Sequence, residues 1–537
     1  MLKDLAMYPA PRSHRPLIMG RNGAVGANHP MAAQAGLDIL RAGGNAVDAA
    51  VAVALALGVC EPMMSGLGGD GFYHVFMAGK GEATVFNGSG PAPKAATPEH
   101  YRGGIPIDGP LSVSVPGGLA AVALMHARHG RLPWARLVEP AIALAADGFA
   151  ATHGYRNFAG ANRARLAADP RSAKVFLDHA LADLIVQPEL ARTLEEIAAD
   201  GAETFYRGKL ARRLARGMRD AGILVAEEDL AAFAAEVQAP IAIAYRGFEV
   251  RQTPPNSTGF VMLEMLKIVE RFDLKKLSAA ERVHVLVEAK KLAFHDRESY
   301  GSDPRFATVP LDRLLSDDHA SELAARIDLN RARRAEPQAM AAAGDTTYFC
   351  VIDGEGNAVS GIQSINSAFG SGVTAGDTGV LMNNRMAYWH LAPGHANRLA
   401  PGKRVRHTMN APMVFRDGRL WGVLGTPGAD NQVQVNLQAL VAMLDFDADP
   451  QTALELPRWT SSQAGQGANW PHEGDGALTV EADFPDEVLR GLERRGHVLK
   501  RVGHLEGPCA MQAIRLMPNG VCVAGSDTRR DGWACAY

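Results

Sequence analysis

Two adjacent threonines, Thr346 and Thr347, open a run that reads TTYFCVI. A threonine hydroxyl is a poor nucleophile near neutral pH. One way to activate it is to make the residue N-terminal, so that its own α-amine serves as the base. An α-amine with a pKa of about 8 suits that task. The chemistry requires the bond between Asp345 and Thr346 to break. From composition alone a plain strand start, where threonine is a favoured residue, is the stronger reading.

Other chemistry-bearing groups are weaker candidates. His284, Glu288 and His295 fall at i, i+4 and i+11 of the run VHVLVEAKKLAFHDR, which places all three on one helix face. Zinc ligation is imaginable there, but HExxH is absent, and buried helical His and Glu usually serve only as hydrogen-bonding groups. No metal is expected. SGLGGDG, residues 65–71, lacks the Lys-Ser/Thr of a phosphate loop and reads as a close-packed turn. GxSxG is absent, so no nucleophile elbow of the α/β-hydrolase kind is encoded. Cys350 sits among apolar neighbours and reads as a packed core thiol.

The elements that must position these groups follow from pattern. Asn28 and Pro30 suit the start of a helix that Gly43-Gly44 ends, and a second, almost wholly apolar helix spans 47–59. The Gly-rich loop leads to two short strands with a Gly-Lys-Gly turn between them, and GRLPWARLVEPAIALAADGF has helical spacing. Strands are predicted near 241–251, 411–416, 419–425 and 510–524, and helices near 431–445 and 485–495. TPPNSTG, from Thr253, is a turn by composition. The charged, Ala-rich stretch 326–345 is the best linker candidate. TTYFCVI and AVSGIQSI flank Asp353-Gly354-Glu355-Gly356-Asn357, a hairpin signal with a longer loop. Strands among many helices predict a layered α/β or α+β fold.

The 537 residues are 47% hydrophobic and 21% charged, which is ordinary soluble composition, and they could bury a very large core. A net charge of -3 argues for no nucleic acid and no membrane surface as partner. Five cysteines without CxxC or Cys/His spacing suggest reduced thiols. The first residues lack the apolar core of a signal peptide, and the longest apolar run is too short for a membrane span. A cytoplasmic location is expected.

Several segments, in order, resemble the γ-glutamyltransferase (glutathione hydrolase) family of N-terminal nucleophile hydrolases. They include HPMAAQAGLDILRAGGNAVDAAVAVALALGVCEP, SVPGGLAA, GRLPWARLVEPAIALAADGF, TPPNSTG, DTTYFCVIDGEGNAVSGIQSINSAFGSG, GTPGADNQ and GSDTRRDGWACAY. The resemblance covers nearly the whole chain. It implies an α+β fold, a four-layer αββα sandwich of the N-terminal nucleophile hydrolase type. It also implies an inactive precursor that cuts itself between Asp345 and Thr346, giving a large chain, 1–345, and a small catalytic chain, 346–537. The two pieces would remain one interleaved unit, a heterodimer of fragments that could assemble further. Thr346 would then be nucleophile and cleavage agent. Ser364 stands where the family has a hydroxyl bonded to the nucleophile, and Asn366 where it has a substrate-binding Asn. Gly428 and Ala429 match the Gly-Gly pair of the oxyanion hole. No cofactor is implied.

The departures from that pattern concern the substrate. Asn87, in Phe86-Asn87-Gly88-Ser89-Gly90, replaces the arginine that reads the α-carboxylate in true γ-glutamyl enzymes. NNRMAYWH places Arg385 in the pocket motif and Tyr388 where the family has the aspartate that holds the α-amine. His407-Thr408 replaces a Ser-Ser pair. Losing partners for charged groups costs discrimination heavily, so glutathione binding should suffer. Asn87, Arg385, Tyr388, His407 and Thr408, with Trp389 and Arg406 nearby, would suit a small acidic acyl amide bound through one carboxylate. The pattern resembles the oxamate amidohydrolase branch. Glutathione hydrolase or γ-glutamyl transpeptidase activity and a cephalosporin-acylase-like activity are the alternatives. A catalytically dead binding protein is the alternative of another class.

Overall fold

Nearly every position of the strand Asp345–Asp353 after its threonines is apolar, and all nine positions of Ala358–Asn366 are buried. Such runs are stable only with both faces covered. The computed structural model describes residues 13–333, 345–463 and 465–537. The two strands pair antiparallel, with Ile352 opposite Ala358 and Thr347 opposite Gln363. The Asp353 carboxylate closes their connection, accepting from the backbone N–H groups of Glu355 and Asn357 at 3.0 Å each. Its second oxygen accepts from Ala46 N–H at 2.8 Å, tying the hairpin to the start of a helix. Residues 334–344 of the expected linker lie outside the described residues.

Two antiparallel seven-stranded sheets form the middle of the molecule. One orders its strands Trp533–Ala536, Gly23–Ala27, Asp345–Asp353, Ala358–Asn366, Asp70–Met77, Glu82–Asn87 and Glu236–Gln238. The other runs Ile18–Gly20, Cys522–Ser526, Gln512–Leu516, Arg419–Gly425, Met413–Arg416, Phe248–Gln252 and Ile241–Tyr245. Both draw strands from either side of position 345. Between them lies a core that includes Phe72, Tyr348, Ile362, Met413 and Ile514.

Helices cover the outer faces. Ala46–Cys60 is buried at all but one of its positions, because its Ala, Val and Leu residues leave no polar face to turn toward water. With Pro30–Arg41 and Gly118–His129 it packs on the first sheet. Gly259–Val269, Asn431–Leu444 and Pro450–Glu455 pack on the second, backed by the long helix Ala279–Tyr300. The layers therefore run helix, sheet, sheet, helix, the α+β sandwich expected.

Two local expectations change. The first helix is capped by His29, whose ring Nδ1 accepts from Met31 N–H at 3.3 Å, and Asn28 instead accepts from Gln512 across to the second sheet. The regions 510–524 and 241–251 each fold back as a hairpin, turning at Pro518–Gly520 and at Arg246-Gly247. Among the described residues no helix is long and apolar enough to cross a membrane. All five cysteines are free thiols.

Candidate active site

Thr346 lies where the pairing of the central hairpin loses its regularity. Asp345 is opposite Asn366 and Thr347 opposite Gln363, so Ser364 and Ile365 together face Thr346. A bulge of this kind re-aims a side chain. The Thr346 hydroxyl donates to Ser364 Oγ at 3.2 Å, and Ser364 Oγ also accepts from Asn366 N–H at 2.8 Å. Both side chains are buried. Gly69 backs this spot closely: a Cβ there would collide with the Ser364 carbonyl oxygen, and one on Gly68 with the Leu381 carbonyl oxygen, which explains the two glycines before Asp70.

Asn366 has a left-handed backbone, φ 81°, which a short polar side chain tolerates. Its amide nitrogen donates at 3.0 Å to the Asn384 carbonyl and to Asn469 Oδ1, and its oxygen accepts from Arg385 Nη1 at 3.3 Å. Arg385 is 1% exposed. Its Nε donates to Asp70 Oδ2 at 3.1 Å, its guanidinium sits 4.6 Å over the Tyr388 ring, and its Nη2 has no hydrogen-bond partner among the described residues.

Asp70 is the hub behind that arginine. It stands opposite Ser364 in the sheet register, and its Oδ1 accepts from Gly90 N–H at 2.9 Å. His407 Nε2 lies 3.3 Å from Asp70 Oδ2. Because His407 Nδ1 accepts from Met409 N–H, Nε2 is the protonated nitrogen and donates to Asp70. Burial, followed by the Arg385 charge, pushes the His407 pKa down to about 4 against the pull of Asp70, so this imidazole is neutral at neutral pH. Burial alone would raise the Asp70 pKa. The His407 hydrogen bond, the Arg385 charge and the Gly90 N–H outweigh it and hold the carboxylate below its ordinary range.

The other expected residues frame this network. The hydroxyls of Tyr388 and Thr408 lie 3.0 Å apart. Trp389 joins Met386, Tyr388, Ala429 and Ala468 in a buried apolar cluster, whereas Arg406 is held at 2.7 Å by Glu298. Asn87 is engaged from behind: it donates to Asn256 Oδ1 at 3.0 Å and accepts from Ser89. Asn256 in turn accepts the backbone N–H of His407 on its carbonyl.

Gly428 and Ala429 follow the strand Arg419–Gly425, whose last glycine packs against the Tyr348 ring, two residues from Thr346. Their φ angles are 116° and 48°. Neither backbone N–H donates to a partner among the described residues, as an oxyanion hole requires of its donors. A left-handed alanine costs about 1–2 kcal/mol, and such strain clusters at functional sites.

The helix-face triad is only partly assembled. His284 and Glu288 are buried, but His295 is exposed, and His497 is the third member, its Nε2 2.8 Å from His284 Nδ1. Glu288 is held by Lys291 at 2.7 Å. Pattern reading missed Asp70 and Asn469. Asp70 had a signal, being the one acid in SGLGGDG. Asn469 sits in a loop without periodicity.

A family model described as Gamma-glutamyltranspeptidase matches residues 32–537. The chain belongs to the γ-glutamyltranspeptidase family. Among its relatives is the "Glutathione hydrolase-like YwrD proenzyme" of Bacillus subtilis, 39% identical over 96% of this chain and 99% of that protein. The "Oxamate amidohydrolase proenzyme" of Klebsiella pneumoniae is 34% identical over 96% of this chain and 98% of its own length. Among solved structures, a cephalosporin acylase from Bacillus halodurans superposes with a TM-score of 0.90 at 35% identity, covering 99% of this chain and 98% of the other. This γ-glutamyltranspeptidase-family chain is therefore an amide hydrolase with the fold of its N-terminal nucleophile relatives.

Proposed function

We propose that the chain cuts itself before Thr346 and then hydrolyses a small amide whose acyl group carries a carboxylate, as oxamate does. The observation that carries the reading is the buried hydroxyl pair of Thr346 and Ser364 at the bulged end of the central hairpin. In the precursor the Thr346 hydroxyl attacks the Asp345 carbonyl carbon. The carbon–nitrogen bond breaks, the nitrogen gains a proton, and Asp345 is left as an ester on Thr346. Water cleaves the ester, leaving a carboxylate on Asp345 and a free α-amine on Thr346. The fragments are 1–345 and 346–537.

In turnover that amine takes the proton of its own hydroxyl as the oxygen attacks the substrate amide. Gly428 and Ala429 N–H groups receive the negative charge that develops on the carbonyl oxygen. The leaving nitrogen departs with a proton, and water then releases the acyl group from Thr346. Asn366 orients the amide. Arg385 supports the acidic preference, because its free Nη2 is the unpaired donor in a buried network that otherwise holds its own charges in balance. Tyr388, Thr408 and His407 form the wall, and Asn87 fixes it from behind.

A longer acyl chain ending in a carboxylate is the second reading, favoured by the apolar cluster of Met386, Trp389 and Ala468 that packs with Tyr388. Side-by-side assays of oxamate, a γ-glutamyl anilide and a cephalosporin side-chain amide separate these readings. Rapid turnover of the γ-glutamyl anilide with none of oxamate would overturn the proposal.

A further inference from the structure

In the outer helical layer, sharing no residue with the acyl pocket, three helices bring Glu264, Asp296 and His319 together. They come from Gly259–Val269, Ala279–Tyr300 and Asp317–Ala324 respectively. His319 Nε2 lies 2.7 Å from Asp296 Oδ2 and 3.5 Å from Glu264 Oε1, and one donor atom from each residue falls within 4.8 Å of the others. All three are buried, and Glu264 is 0% exposed. As a carboxylate, Glu264 has no hydrogen-bond donor on either oxygen among the described residues.

An ionised carboxylate in that position is very costly without a counter-charge. Three species can neutralise the group: a proton shared with Asp296, a proton that makes His319 an imidazolium between the two carboxylates, or a metal cation. The donor set favours the cation. Two carboxylate oxygens and one imidazole nitrogen, from three separate helices, converge on one point. His319 Nε2 stands 2.7 Å from Asp296 Oδ2 and 3.5 Å from Glu264 Oε1, against the roughly 3.4 Å between ligands of a metal with bonds of about 2.1 Å, so only the Asp296 contact has to open, by about 0.7 Å. A neutral imidazole with two carboxylates also cancels the charge of a divalent ion. Oxygen donors suit manganese and imidazole suits zinc.

We propose that Glu264, Asp296 and His319 form a structural binding site for a divalent first-row metal ion, zinc or manganese, which pins the three helices together. The helix of Glu264 begins at Gly259, directly after the segment whose Asn256 holds both Asn87 and the His407 backbone. The ion would thereby steady the wall of the acyl pocket without touching substrate.

The test uses the full chain with any affinity tag removed, stripped by chelator and then re-equilibrated with Zn2+ or Mn2+. Metal per chain is measured by mass spectrometry of the ions, and melting temperature is followed against free metal. One ion per chain with a rise in melting temperature is expected. In Glu264→Gln and His319→Gln both should be lost, with affinity lower by at least about 100-fold. These variants should still process at Thr346. A wild-type chain that holds no ion and melts identically with and without metal overturns the proposal and leaves a proton as the neutralising species. So does full retention of the ion by both variants, which would place it elsewhere, for example at His284, Glu288 and His497. Should those variants fail to fold, His284→Gln is read in the same way: it should keep the ion and the melting shift, and their loss there would overturn the proposal.

Discussion

Replacing Arg385 by methionine separates its two duties. The arginine pairs with Asp70 at 3.1 Å inside a buried network, and Asp70 would keep only the Gly90 N–H and the His407 donor. Removing one partner of a buried ion pair costs about 3–5 kcal/mol. Arg385→Met should lose that much in chemical denaturation, and adding Asp70→Asn should restore a good part of it. The catalytic duty is read with two substrates of one size, oxamate and its uncharged analogue oxamide. A charge-assisted hydrogen bond is worth about 1.5–3 kcal/mol, or about 10- to 150-fold in kcat/KM. The oxamate-to-oxamide ratio should fall by that factor in Arg385→Met and by less in Arg385→Lys, which keeps the charge without the planar fork. If both substrates lose activity equally in every variant, Arg385 is a structural residue and the acidic preference is wrong.

Ala429→Gly should stabilise the protein by about 1 kcal/mol, since φ 48° is strained only for a residue with a Cβ; denaturant midpoints check this, and a loss of stability would contradict it. Ser364→Ala should slow both precursor cleavage and turnover by about 10- to 100-fold, because the Thr346 hydroxyl loses its oriented partner; a gel time course of the fragments reads it. His407 and His74 are buried with pKa values depressed to about 4, mainly by burial. The unfolded chain therefore binds more protons than the folded one between about pH 6.5 and 4. Stability should be complete above that window and fall through it on acidification, by up to about 3 kcal/mol per histidine. Unfolding midpoints that do not move between pH 7 and pH 4.5 would contradict the placement of these rings.

The layered fold was legible because its elements are strongly patterned. The helix 46–60 has no polar face, and the hairpin around Asp353 is apolar on both sides of a Gly-rich turn, so each can only be buried. The site was legible in part. Thr346, Ser364 and Asn366 lie within one hairpin, where spacing along the chain is spacing in space. Asp70 and Asn469 reach the same point from 315 residues before Arg385 and 103 after Asn366, and no local period announces such long-range meetings. Likewise His295 shares the azimuth of His284 on the helix, but the core covers only one of them, and His497 arrives from a distant turn. Periodicity states which face a residue occupies; it does not state what is packed there.

The most direct measurement is on the purified protein: N-terminal sequencing and intact mass of its fragments, beside Thr346→Ala. The expected result is a smaller fragment that begins TTYFCVI in the wild type and one uncut, inactive chain in the variant. A wild-type chain that stays whole while hydrolysing amides, or a variant that keeps that activity, would contradict it.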